Sequence, residues 1–193
     1  MVTGSGMVAD DAELAEGVVV GPYCVLGLDP EAEAAPLKVG PGAVIRSHTV
    51  LYRGTRIGEG FHAGHGVLVR EHVRIADDVS IGSHTVVEHH VELGRGVRLH
   101  SNCFVPEYSV LEPDSWLGPN VVITNARYPN RPDTKDSLEG VHLERGATVG
   151  AGAILLPGVR IGAGALIGAG AVVLHDVPAG ATVVGNPGRE LPS

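Results

Sequence analysis

The sequence predicts an all-β fold, a parallel β-helix, on three observations. An aliphatic residue opens each of fifteen consecutive six-residue units from Val39 to Ile123, and six more at Leu143, Val149, Leu155, Ile161, Ile167 and Val173. The fifth position of the unit is small or β-branched in nineteen of these twenty-one, Phe61 and Arg127 excepted. The fourth position is Gly ten times and Asn, Asp or His nine times, with Tyr108 and Ala126 the others. Residues that tolerate positive φ at every sixth position fit neither a helix of period 3.6 nor a hairpin meander of period 2. They fit short strands separated by tight turns, three units closing one triangular coil of eighteen residues.

Taken in order, the chain begins with a patternless stretch, Met1 to Gly6, expected to be mobile. Weaker units at Val8, Leu14, Val20 and Leu26 bring the total to twenty-five, or about eight coils. That is a column of roughly 40 Å at ~4.8 Å per coil. Residues 28–38 exceed one unit and predict a Pro-bounded acidic bulge on a corner. The pattern fails at Asn125 and resumes at Leu143, so residues 125–142 must loop out, and a loop of that length in a compact fold is often functional. The units from Val149 to Val173 carry Gly at both second and fourth positions of several repeats, which predicts bare backbone for a long, thin ligand. Residues 179–193 should leave the coil and brace it. The whole, 1–193, reads as one domain with its repeat at 8–178.

Composition bounds the partners. A formal charge of -8 over 193 residues disfavours nucleic acid or an anionic membrane. No apolar run reaches the ~20 residues of a membrane span, and residues 1–10 lack a signal-peptide layout, so a cytoplasmic protein is expected. Cys24 and Cys103 fall at inward fifth positions far apart along the column, which predicts buried thiols and no disulfide.

Steps of eighteen residues bring out the stacked polar groups. One turn column reads His48, Gly66, His84, Asn102, Asn120, all αL-tolerant types. The adjacent second-position column reads Gly64, Gly82, His100, Gly118, placing one imidazole among glycines. Acyl transfer from a thioester to an amine needs the amine deprotonated and the carbonyl polarised. A His with pKa near ~6.5 can accept the proton, and an amide can stabilise the oxyanion. Asn102 with His84 or His100 supplies both functions.

The repeat, the extruded loop, the Gly-rich last coils and the tail Val183-Val-Gly-Asn-Pro together resemble the hexapeptide-repeat acyltransferases. The segment Leu117-Gly-Pro-Asn-Val-Val-Ile-Thr-Asn125, with Pro129 following, is similar to bacterial N-acetyltransferases that act on nucleotide-linked amino sugars. The resemblance implies a left-handed β-helix working as a homotrimer, acetyl-CoA as acyl donor, no metal, and an amino-sugar nucleotide as acceptor. In that subfamily an aliphatic-Gln-Asn-Asn unit supplies an active-site asparagine. Here Leu99-His-Ser-Asn102 matches in phase at Asn102 and departs from it at His100 and Ser101. The expected site is therefore Asn102, His100 and His84 for catalysis, Gly118, Asn120, Gly150, Arg160, Gly168 and Arg189 along the donor groove, and Asn125, Arg127 and Tyr128 on a loop closing over a neighbouring subunit. Three rivals stand beside this reading: an O-acetyltransferase of the same fold, a non-catalytic scaffold, and a γ-type zinc carbonic anhydrase using His48, His84 and His89 on neighbouring subunits. Phase counts against the last, because His84 is at the fourth position and the in-phase unit Ala63-Gly-His65 is followed five residues later by Arg70, which cannot ligate zinc.

Overall fold

A computed structural model describes residues 5–29 and 34–192. The first four residues and the middle of the bulge at 28–38 lie outside them. The described chain is a left-handed parallel β-helix, an exception to the usual handedness of parallel crossovers. Each of the twenty-five units gives one short strand containing its aliphatic first residue, from Met7–Val8 to Val172–Val173.

Three flat sheets result. The first face has nine strands, Met7–Val8 to Val172–Val173; the second has eight, Glu13–Leu14 to Arg160–Ile161; the third has ten, Val19–Val20 to Arg189–Glu190. Register steps by one coil, as in Leu68↔Val86 and Ser80↔Arg98, and carries across the extruded loop as Trp116↔Thr148. The loop leaves after Val122–Ile123, contains one 3-10 turn at Thr134–Ser137, and rejoins at His142–Leu143.

Between strands the fourth position adopts the left-handed conformation, with φ of 59° at His84, 61° at Asn102 and 59° at Asn120. Tyr108, an exception to the residue pattern, obeys the geometry at φ 64°. Inside the column the first and fifth positions are buried, forming one continuous aliphatic core. Several fifth-position side chains add a polar function. Thr49, Thr55 and Thr85 donate to the carbonyls of Gly64, Arg70 and His100, and the buried thiol of Cys103 donates to that of Gly118. The free cysteines are thus buried donors, each thiol pushed up in pKa by burial.

The tail departs from expectation. Val183 supplies one more buried aliphatic, so Thr182–Val184 extends the third face, and only beyond Gly185 (φ 88°) does Arg189–Glu190 fold back antiparallel on it.

Candidate functional site

The corner between the third and first faces holds the predicted catalytic residues. Its turns are clamped coil to coil: Asn102 N–H donates to the Ser83 carbonyl at 2.9 Å and Asn120 N–H to that of Ser101 at 3.0 Å. The side chains of His84, Asn102 and Asn120 are left exposed, stacked one coil apart. His100 lies two residues before Asn102. Its N–H donates to Leu117 O at 2.9 Å and its carbonyl accepts from Thr85 Oγ1 at 2.8 Å, so the backbone is fixed while the ring stays exposed. That ring meets Trp116 edge-on, centroids 4.7 Å apart.

Beside His100 runs a groove of about 330 Å³, lined by Arg46, His62, Gly64, Ser80, Gly82, Ser83, Arg98 and Ser101 among others, with no carboxylate. Gly64 keeps its floor low, because a Cβ there would stand 2.5 Å from the Ser83 amide nitrogen. Second-position glycines are therefore demanded by close coil stacking, and a low groove floor is the consequence.

Of the residues expected along the donor groove, Gly118, Gly150 and Gly168 stack one coil apart on the third face, with Asn120 on the adjoining corner, and Arg160 alone stands on another face. Each of these glycines packs close to the next coil, Gly118 against Ala151, Gly150 against Ala169 and Gly168 beneath Val184 of the tail. Bare backbone instead lies at the fourth position, where a Cβ on Gly152, Gly164 or Gly170 would meet nothing. Arg160 stands on the second face, held at 2.6 Å by Glu144 and at 3.2 Å by His142, whereas Arg189 sits on the tail of the third face. The pair does not form one phosphate clamp within a chain.

The loop residues occupy the opposite edge of the first face. Asn125 donates from Nδ2 to Glu107 at 2.7 Å, and its carbonyl accepts from Glu139 N–H, closing the loop base. Arg127 reaches Pro157 O, and the exposed Tyr128 ring lies 4.0 Å beneath the Arg131 guanidinium. His84 and His89 likewise flank the first face on opposite corners, so the zinc rival's residues would have to come from neighbouring subunits, as that reading expects.

Sequence reasoning missed a polar ladder at this first-to-second corner. Glu71 is 4% exposed and pairs with Arg70 at 2.8 Å, which also reaches Glu88 at 3.1 Å. Burial works to raise the Glu71 carboxyl, but its own backbone amide and Arg70 outweigh burial and hold it below the usual range. His89 bonds His90 at 2.9 Å and lies 3.7 Å from Glu107. The available signal was the same step of eighteen: Glu71, His89, Glu107 and Asn125 are one column.

Comparison with known proteins agrees with this architecture. The family described as bacterial transferase hexapeptide (six repeats) matches residues 72–107 and 140–175. Among solved structures, a UDP-N-acetylglucosamine O-acyltransferase (LpxA) from Moraxella catarrhalis superposes with a TM-score of 0.58 at 19% identity, covering 98% of this chain and 73% of that one. The LpxA of Acinetobacter baumannii gives 0.51 at 19% identity, over 98% and 73%. The acetyltransferase domain of PglB from Neisseria gonorrhoeae, in complex with acetyl coenzyme A, gives 0.50 at 16% identity, over 88% and 87%. No curated protein sequence matched. Residues 72–107 and 140–175 thus match the repeat of the bacterial transferase hexapeptide family, and the fold is the β-helix of those solved structures.

Proposed function

We propose that the protein is an acyl-CoA-dependent acyltransferase that acetylates the amino group of a nucleotide-linked amino sugar, in the cytoplasm, as a homotrimer. The observation that carries the reading is the third-to-first corner: an exposed imidazole with a clamped backbone, an exposed Asn two residues on, and a carboxylate-free groove beside them. The repeat family and a fold shared with acyltransferases support it.

The fourth-position glycines 152 and 170, one coil apart at the third-to-first corner, leave open backbone that fits the amide-bearing arm of acetyl-CoA. When bound, the thioester supplies the acetyl group and a good thiolate leaving group. His100 or His84 takes the proton from the acceptor ammonium, and the Asn102 amide donates to the developing oxyanion. Because Asn125, Arg127 and Tyr128 lie across the first face from Asn102, their part in the site requires a second copy. The outward residues of that face are apolar from Met7 to Val172, which supports burying it against one.

The LpxA neighbour, an O-acyltransferase, favours one second reading, a hydroxyl acceptor. A hydroxyl needs its base during the attack itself, whereas an amine needs one only to leave the ammonium form, so transfer to a hydroxyl should depend more steeply on an intact histidine.

The test is thiol release from acetyl-CoA against a panel of amino-sugar and hydroxy-sugar nucleotides, with Asn102→Ala, His100→Ala and His84→Ala compared for turnover and thermal midpoint. Loss of an oxyanion donor is expected to cost ~10²-fold in turnover. Activity within about threefold of wild type in all three variants would move the chemistry elsewhere, since a change that small is under 1 kcal/mol of barrier.

A further inference from the structure

The chain is anionic overall, yet the groove on its third face is lined by two arginines, two histidines and three serines with no carboxylate. Elsewhere on the column most arginines are spoken for, Arg56 on the second face being an exception among the described residues. Arg95 pairs with Asp78, Arg145 with Asp114, Arg160 with Glu144, and Arg53 with Asp11. Arg46 and Arg98 form no ion pair or side-chain hydrogen bond with any described residue. Two uncompensated guanidiniums in one groove await an anion, and their planar donors suit phosphate oxygens.

The groove is long in one direction and has an aromatic end. Arg46 and His100 occupy the same second-position column three coils apart, about 14 Å at the ~4.8 Å coil spacing, with Gly64 and Gly82 between. Arg98 borders this groove and the neighbouring depression that holds Trp116 and two neutralised pairs, Arg95 with Asp78 and Arg145 with Asp114, and Trp116 is its partner in strand register. Trp116 is the chain's one tryptophan, half-buried, braced by the His100 ring. A stacking platform next to an unpaired arginine, with a groove of serine hydroxyls beyond, is the chemistry that recognises a base joined to a diphosphate.

We infer that the third-face groove from Trp116 through Arg98 to Arg46 is a nucleoside-diphosphate site, with the base on Trp116 and the phosphates on Arg98. It rests on the proposed function only in placing this site next to His100. The nucleotide can come from either substrate, since an amino-sugar nucleotide and coenzyme A both carry a nucleoside diphosphate.

The single tryptophan makes the test direct. Titration of the full chain with UDP, with CoA and with uridine is followed by Trp116 fluorescence. UDP or CoA should quench saturably, and uridine about tenfold more weakly because it lacks the charged partner of Arg98. Arg98→Ala should weaken the quenching ligand by about tenfold or more, while Arg74→Ala on the second face leaves it unchanged. Trp116→Leu, followed by calorimetry, should show a comparable loss. Thermal midpoints confirm that each variant folds. Quenching by UDP that CoA does not displace assigns the site to the acceptor; the reverse assigns it to the donor. No saturable quench by either into the millimolar range, or a quench indifferent to Arg98→Ala, overturns the site. Acetyl transfer to a simple amine, persisting without any such quench, would sink this inference alone. UDP quenching in a protein that binds no CoA would instead sink the acyltransferase reading and leave the site standing.

Discussion

The first and second faces are built on the same inward pattern and present opposite surfaces. Beneath both lie aliphatic first-position residues, Leu51, Val69 and Val87 on one and Ile57, Ile75 and Leu93 on the other, all buried. Outward, the first face shows Val50, Leu68, Val86, Phe104, Val122, Ile154 and Val172, with Phe104, Val122 and Ile154 each more than a third exposed. The second shows Glu13, Lys38, Arg56, Arg74, Glu92 and Arg160, several of them neutralising one another, as Lys38 does Glu13 at 2.8 Å. The inward positions decide the fold and the outward ones decide its use. A charged face that satisfies itself can remain in water, whereas an apolar stripe running the length of the column asks for another protein surface.

The largest effect should come from spoiling that stripe. Phe104→Asp places a charge in the middle of the first face and is expected to turn the proposed trimer into monomer in sedimentation, abolishing the proposed acetyl transfer with it. Arg74→Asp on the second face should leave the assembly intact. Equal assembly in both variants would show that the apolar face is not the interface.

Next come substitutions that should erase the difference between the faces. Leu51→Ala beneath the first and Leu93→Ala beneath the second each open a cavity in the same narrow core and should each cost about 3 kcal/mol by denaturant unfolding. A markedly cheaper Leu93→Ala would mean that the second face is softer than its packing indicates.

The corner joining the two faces offers a smaller, pH-dependent effect. Removing Arg70 leaves the buried Glu71 carboxylate without its ion partner, and Arg70→Ala should cost roughly 2 kcal/mol, low for a buried pair because Arg70 is one-third exposed. Glu71 is held below the ordinary carboxylate range, so its contribution is complete above the unfolded value and is lost as pH falls through the folded one. The thermal midpoint gap between Arg70→Ala and wild type should therefore be widest near neutrality and close below about pH 4.3. A gap that stays constant through that range would assign the loss to packing of the arginine stem.

The repeat made the fold legible because its two inward positions and its αL turn are local, size-limited choices, readable at Val39, Ala43 and Gly42 without knowing anything distant. The site was legible only where it shares that period. Asn102, His100 and His84 emerge from a step of eighteen, and so would the column Glu71, His89, Glu107 and Asn125, had side chains at the third position been followed as the second and fourth were. What a sequence cannot show is which outward group is already taken. Arg160 and Arg98 stand alike in the sequence, yet one is bound to Glu144 and the other's guanidinium has no partner among the described residues. Nor does a glycine announce whether it faces solvent, as Gly152 does, or the next coil, as Gly150 does.

The finest prediction compares two corners through one interaction. Thr85 Oγ1 donates to the His100 carbonyl at 2.8 Å, and Thr55 Oγ1 makes the same bond to the Arg70 carbonyl at 2.7 Å, each from the inward fifth position. Replacing either hydroxyl with a methyl preserves volume and strands a buried carbonyl, so Thr85→Val and Thr55→Val should each cost about 1 kcal/mol of stability. Function should separate them. If the third-to-first corner carries the chemistry, Thr85 positions the backbone that holds the His100 ring, and its loss should lower kcat several-fold with little change in the KM for acetyl-CoA. Thr55→Val, with equal stability loss at the other corner, should leave kcat near wild type. Equal kcat in the two variants would strip His100 of its dependence on that clamp, whatever the fate of the fold.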